Sequence, residues 1–139
     1  MYKAIDVAKY VVTKCMRDKC PVSNLQLQKI LYYIQKDFLS RGEPAFSDDI
    51  EAWKFGPVVP NVYYHFCGSG AMPISISFEN ISIAPKDAEY IDAIIEAKRN
   101  MNPWELVDET HKENGAWHQI YYNEGESSVI PLDLIRTVG

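Results

Sequence analysis

The sequence is poor in the residues that small domains most often use for chemistry. It has 3 histidines and 3 cysteines, and none of them stand at the close Cys or His spacing that zinc sites present. Cys15 and Cys20 are five positions apart, and His65 and Cys67 would fall on different faces of a helix. No metal is therefore expected among Cys15, Cys20, His65, Cys67, His111 and His118, and no cofactor is expected either. A Cys–His nucleophile pair is conceivable, since such partners can be remote in sequence. None of these residues lies in a recognisable nucleophile turn. The one close glycine group, Gly68-Ser69-Gly70, lacks the lysine and the helix context of a phosphate loop. An enzyme is the less expected class.

Positive charge is also short. Lys and Arg total 14 against 19 Asp and Glu, a net charge of −5. Phosphate contact needs concentrated cations, so direct nucleic-acid binding is not expected. The nearest approach to a basic cluster, Lys14, Arg17 and Lys19, is read as a complement to the C-terminal end of a helix dipole. Long apolar runs are missing too. Lys3, Asp6, Lys9 and Lys14 interrupt the N-terminus, which excludes a signal-peptide pattern, and no segment approaches bilayer length. No membrane partner is expected. An odd cysteine count without an export signal points to free thiols in a reducing cytoplasm.

What remains is an apolar content of 47%, in a length that suits one domain spanning residues 1–139. There is no internal repeat, no low-complexity run and no dividing linker. The strongest pattern begins at Ser23. Ser23 and Gln26 make a capping box, with Val22 and Leu27 placed as a hydrophobic staple. Leu27, Leu31, Ile34 and Phe38 follow as one helical stripe, and Leu25, Ile30, Tyr33 and Leu39 widen it. A helix apolar on more than one side is covered by several neighbours, so residues 24–41 are expected to form a central buried helix. Gly42 supplies the stop.

The other elements follow the same reasoning. Tyr2 to Lys19 reads as a helix carrying Cys15 as a core thiol, ended by Pro21. Ile50 and Ala52 alternate with Glu51 and Trp53, which allows a short extended segment. Gly56-Pro57 breaks the chain, and Pro57 and Pro60 suit the start of a helix through Val59, Tyr63 and Phe66. The alternation in ISISF and ISIA, residues 74–78 and 81–84, suggests a small β-hairpin turning at Glu79-Asn80. Lys86 to Met101 returns to helix. Asn102, Pro103 and Glu105 open another, with Trp104, Val107 and His111 along one side. Trp117, Ile120 and Tyr121 suggest further turns, and a terminal piece starts at Pro131. The expected fold class is mainly α, a compact helical domain around the central helix with a small β-hairpin or extended segments.

The middle of the chain resembles a known family. Leu27, Gln28, Lys29, Leu31, Tyr32 and Tyr33, then Glu51, Ala52 and Trp53, then Gly56, Pro57, Val58 and Tyr63 stand in the order seen in the Panacea domain, the domain of SocA-like antitoxins and many phage-associated proteins. Glu105–Trp117, with Thr110, His111 and Trp117, is similar to that family's Thr-His segment followed by Trp. The resemblance implies a helical domain that neutralises a cognate protein toxin by direct binding. It also implies an alternative, a proteolytic adaptor that delivers the toxin to an ATP-dependent protease. An enzyme acting on a small molecule or nucleotide, or a phage structural protein, are further alternatives.

Among the candidate residues, the acidic pairs Asp48-Asp49 and Asp108-Glu109 read as solvated surface, and His111 as a hydrogen-bonded core residue. Trp53 to Pro57 carries two readings at once. Its aromatics can anchor an irregular crossing onto the central helix, since large aromatics usually serve packing. They can also form a partner-binding rim, because Tyr, Trp and Arg dominate protein interfaces. The expected partner-binding set is Glu51, Trp53, Lys54, Phe55, Tyr63, Tyr64 and His65.

Overall fold

The computed structural model describes residues 1–139, and its central element starts where the capping box places it. The Gln26 N–H donates to Ser23 Oγ at 3.3 Å, and the Ser23 N–H donates to Gln26 Oε1 at 2.9 Å. These bonds satisfy donors that a helix start otherwise leaves open. The helix α2 (Asn24–Ser40) follows, with Leu27, Ile30, Leu31 and Ile34 wholly buried, and Gly42 beyond its end at φ +124°. Five helices pack around it: α1 (Ala4–Arg17), α3 (Pro60–Phe66), α4 (Pro85–Lys98), α5 (Pro103–Thr110) and α7 (Leu132–Val138). The remaining helix, α6 (Ala116–Glu124), lies against the sheet and α7. Cys15 is fully buried in the core and its thiol is pushed up by burial.

The β structure is not where the alternating isoleucines suggested. The sheet consists of β1 (Glu51–Trp53), β2 (Gly56–Val58) and β3 (Ser128–Val129), antiparallel in the order β2-β1-β3. β1 and β2 form a hairpin in which Trp53 faces Gly56 across Lys54 and Phe55. Neither turn residue is left-handed; Gly56, at φ +117°, supplies the conformation that closes the hairpin. Gly56-Pro57 is therefore strand rather than helix start, and α3 begins at Pro60.

Residues 74–83 form no strand. Ile74 is buried and its N–H donates to the Val22 carbonyl, while the Phe78 N–H donates to Thr13 Oγ1. Ile76, which a half-buried strand would place on the same side as Ile74 and Phe78, is exposed. At the expected turn only Asn80 is left-handed, whereas a type I′ turn needs two such residues.

One other assignment changes, that of Trp104, and two gain partners. The buried side of α5 is Leu106, Val107 and Thr110, and Trp104 faces outward at 56% exposure. Asp48 accepts the Ala4 N–H at 2.9 Å, serving the start of α1 from a distant segment, and Glu109 accepts from Tyr33 and Lys98. Lys14 pairs with Asp18 at 2.9 Å and with Glu96 at 3.5 Å, so its charge is used in ion pairs.

Candidate partner-binding site

The central helix carries four buried polar side chains, and each one holds backbone of the segment from Ala45 to Tyr63. Gln35 accepts the Ala45 N–H at 2.8 Å and donates to the Phe46 carbonyl at 2.9 Å. Gln28 accepts the Val59 N–H at 2.9 Å and donates to Asn24, which in turn donates to the Tyr63 carbonyl. Lys29 donates to the Pro57 carbonyl at 2.9 Å. Irregular chain laid against a buried helix has polar groups that must be paired. Here the helix's own side chains pair them, and so fix the hairpin and the start of α3 in place.

Lys29 is the most costly member of this row. It is wholly buried, and burial alone lowers its ammonium to about 7. Its stem runs beneath Gly56 so closely that a Cβ there would stand 2.7 Å from Lys29 Cε and 2.8 Å from Thr110 Oγ1. Gly56 is thus required twice, for its positive φ and for its missing side chain. Thr110 is buried and spends its hydroxyl on the Val107 carbonyl.

The second anchor comes from α6. Trp117 is buried and its indole N–H donates to the Trp53 carbonyl at 2.7 Å. Its ring is stacked between His111, at 3.6 Å and 3°, and Tyr121, at 4.6 Å and 17°. His111 is therefore held by stacking, not by hydrogen bonding as expected: its Nε2 is buried without a partner. Burial and, next, the Lys29 charge both lower its pKa. The motif residues Leu27, Leu31 and Tyr32 are buried core, and Tyr33 is half-buried with its hydroxyl donating to Glu109.

On this scaffold the hairpin presents its aromatics outward. Trp53 is half-buried, donates its indole N–H to Glu51 at 2.9 Å, and meets Tyr63 and Tyr64 edge-on or tilted at 4.9 and 6.0 Å. Phe55 is 45% exposed and packs edge-to-face on Trp104 at 5.4 Å. Tyr64 is 64% exposed. Trp53, Lys54, Phe55 and Tyr63 all line one cleft of about 380 Å³. Tyr64 borders it through its contacts with Trp53 and Tyr63, and Glu51 orients the Trp53 ring. His65 is exposed and rests on Phe66 without lining the cleft.

The cleft also takes in residues outside the expected partner-binding set, chiefly Trp104 and Lys29. The usable signal for Trp104 was its place just after an N-cap and a proline, on the first turn of a short helix, where side chains project from the body. For Lys29 the helical pattern gave none, because a lysine in an amphipathic pattern reads as solvated face; only its place in the family motif marked it. No three His, Cys, Asp or Glu side chains come together in a metal-holding group.

Residues 27–118 match the family model described as Antitoxin SocA-like, Panacea domain. Among curated proteins the chain is similar to Antitoxin SocA of Caulobacter vibrioides (strain NA1000 / CB15N). The two are 33% identical over 145 aligned residues, covering 95% of this chain and 77% of that protein. No solved structure matches.

Proposed function

The chain belongs to the SocA-like antitoxin family defined by the Panacea domain, and on that premise we propose that it neutralises a cognate protein toxin by binding it directly. The observation that carries this reading is the match, along 95% of the chain, to a protein named as an antitoxin. The aromatic face of the hairpin and α5 is the surface we assign to the partner. Exposed Phe55, Tyr64 and Trp104 are poor surface residues for solubility and good ones for association.

The mechanism is stoichiometric occlusion. A complex of ordinary size covers about 800 Å² on each partner, which a domain of this size can offer around one aromatic centre. The buried lysine, glutamines and Trp117 keep that centre rigid, so little ordering is lost on binding. The net charge of −5 speeds encounter with a basic toxin and slows it with an acidic one.

The test is a growth experiment. The adjacent gene is expressed under tight control, alone and with this chain, followed by pull-down with the purified domain. Toxicity relieved by co-expression, together with a stable complex, supports the reading. A harmless neighbour that does not bind contradicts it.

A further inference from the structure

The end of α1 brings two of the 3 cysteines together. The Cys20 N–H donates to the Cys15 carbonyl at 2.8 Å, and the Lys19 N–H donates to the Met16 carbonyl at 3.1 Å. Lys19 is left-handed at φ +58°. These two bonds and that residue make the helix ending in which the third-last helical side chain commonly meets the second one beyond the cap. Here both positions are cysteine. On standard bond lengths, the 2.8 Å bond leaves their Cα atoms at most about 6.7 Å apart. Disulfides span that separation. The two thiols also share a neighbour, the end of α4. The Cys20 thiol donates to Asn100 Oδ1 at 3.4 Å, and the Arg99 guanidinium lies beside the Cys15 thiol. Cys15 is wholly buried, Cys20 is half-buried, and both are free. Cys67 is exposed, just after α3.

We propose that Cys15 and Cys20 are a redox pair whose disulfide fixes the turn between α1 and α2. Hydrogen peroxide is the oxidant. Cys20, the thiol that solvent reaches, ionises and attacks a peroxide oxygen. The O–O bond breaks, hydroxide leaves and takes up the thiol's proton as water, and Cys20 becomes a sulfenic acid. The Cys15 sulfur then attacks the Cys20 sulfur from inside the protein. The S–S bond forms, the S–O bond breaks, and the Cys15 proton departs in a second water. Two thiols have lost two electrons, and peroxide has gained them. Burial raises the Cys15 thiol, which suits it to resolve the sulfenic acid and not to attack first. Lys19 carries a Cβ in a left-handed position that glycine usually takes, so the reduced turn is held at a cost. A cross-link removes unfolded alternatives with which that turn competes. In a reducing compartment the bond is transient.

The test treats the full, unaltered chain with limiting hydrogen peroxide, blocks the remaining thiols with N-ethylmaleimide and digests with trypsin without reductant. Cleavage after Arg17 and Lys19 separates the two cysteines, so their disulfide is read as residues 15–17 joined to residues 20–29. That species is expected, with Cys67 outside it, a loss of about 2 Da from the intact chain, and reversal by dithiothreitol. In Cys15→Ala the resolving thiol is gone. Dimedone should then capture at least about tenfold more Cys20 sulfenic acid than in the unaltered chain. Cys20→Ser should leave Cys15 reduced, and it decides the matter if Cys15→Ala does not fold. The oxidised chain should melt several degrees above the reduced one. Equal dimedone capture in both proteins, or a disulfide that joins Cys67 to either cysteine, overturns the pair. So does Cys15 oxidised as readily in Cys20→Ser as in the unaltered chain. An oxidised chain that melts no higher than the reduced one overturns the fixing of the turn. None of these outcomes depends on the antitoxin reading.

Discussion

The Lys29 ammonium donates to the Pro57 carbonyl at 2.9 Å, wholly inside the protein and without an acid beside it. The bond ties the central helix to the hairpin that presents the aromatic face. It does so with a group that burial makes expensive to charge.

Stability should therefore rise with pH just above neutrality. Lys29 has its folded pKa lowered from 10.5 to about 7. Between those values the unfolded chain holds the proton and the folded chain does not, so unfolding becomes less favourable as pH rises. The slope from this group is at most about 1.4 kcal/mol per pH unit. Above pH 9 the raised Cys15 thiol works in the opposite direction, because the unfolded thiol ionises first. Urea denaturation from pH 7 to 9 should show the rise, and Lys29→Met should flatten it. A slope unchanged in Lys29→Met would mean that Lys29 does not titrate in this range.

Gly56→Ala should cost about 2–4 kcal/mol, from a left-handed backbone and from the clash with Lys29 Cε. Lys29→Ala removes one side of the obstruction and leaves Thr110 Oγ1, so the double variant should lose less than the sum of the two single ones. Urea midpoints of the four proteins close the cycle, and simple additivity would show that the clash is relieved elsewhere.

Trp117→Phe keeps an aromatic ring against His111 but leaves the Trp53 carbonyl without its donor. A loss of about 1–3 kcal/mol is expected. Because the same bond holds Trp53 in the cleft wall, partner affinity should fall as well. Denaturation and calorimetric binding are measured on the same preparation.

Ser23→Ala removes one half of the α2 capping box and should cost about 1 kcal/mol. Ser23 does not line the cleft, so partner binding should not change. An affinity loss here would show that the helix start, and not the hairpin, is the contact surface.

Both capping boxes were legible in the sequence because their determinants lie within four residues: Ser23 with Gln26, and Asn102 with Glu105. The Gly42 stop was legible for the same reason. Of the hairpin, β1 was legible as the extended segment at Ile50 to Trp53, whereas β2 and the pairing were not, since a strand of three residues carrying Gly56 and Pro57 reads as a break. The isoleucines of 74–83 alternate, but Ile76 is exposed and the two halves do not pair, so they imitated a hairpin that does not form. Trp53, Lys54, Phe55 and Tyr63, singled out from their clustering after the central helix, do line one cleft. Trp104 was misplaced because α5 is short enough for spacing to favour the wrong side, while Leu106 and Thr110 mark the buried one. The four polar anchors of α2 were invisible because their partners are backbone groups of a distant segment. Only the folded arrangement turns Lys29, Gln28, Asn24 and Gln35 from solvated residues into struts.

The most direct test is a Phe55→Ala, Tyr64→Ala, Trp104→Ala triple variant, assayed for growth rescue against the toxic neighbour and for its thermal midpoint. These side chains are well exposed, so stability should drop by no more than roughly 1–2 kcal/mol, mostly from the lost Phe55–Trp104 pair. If the aromatic face binds the toxin, the variant stays folded and rescue is lost. A folded triple variant that rescues growth as fully as the unaltered chain would place the toxin on another surface.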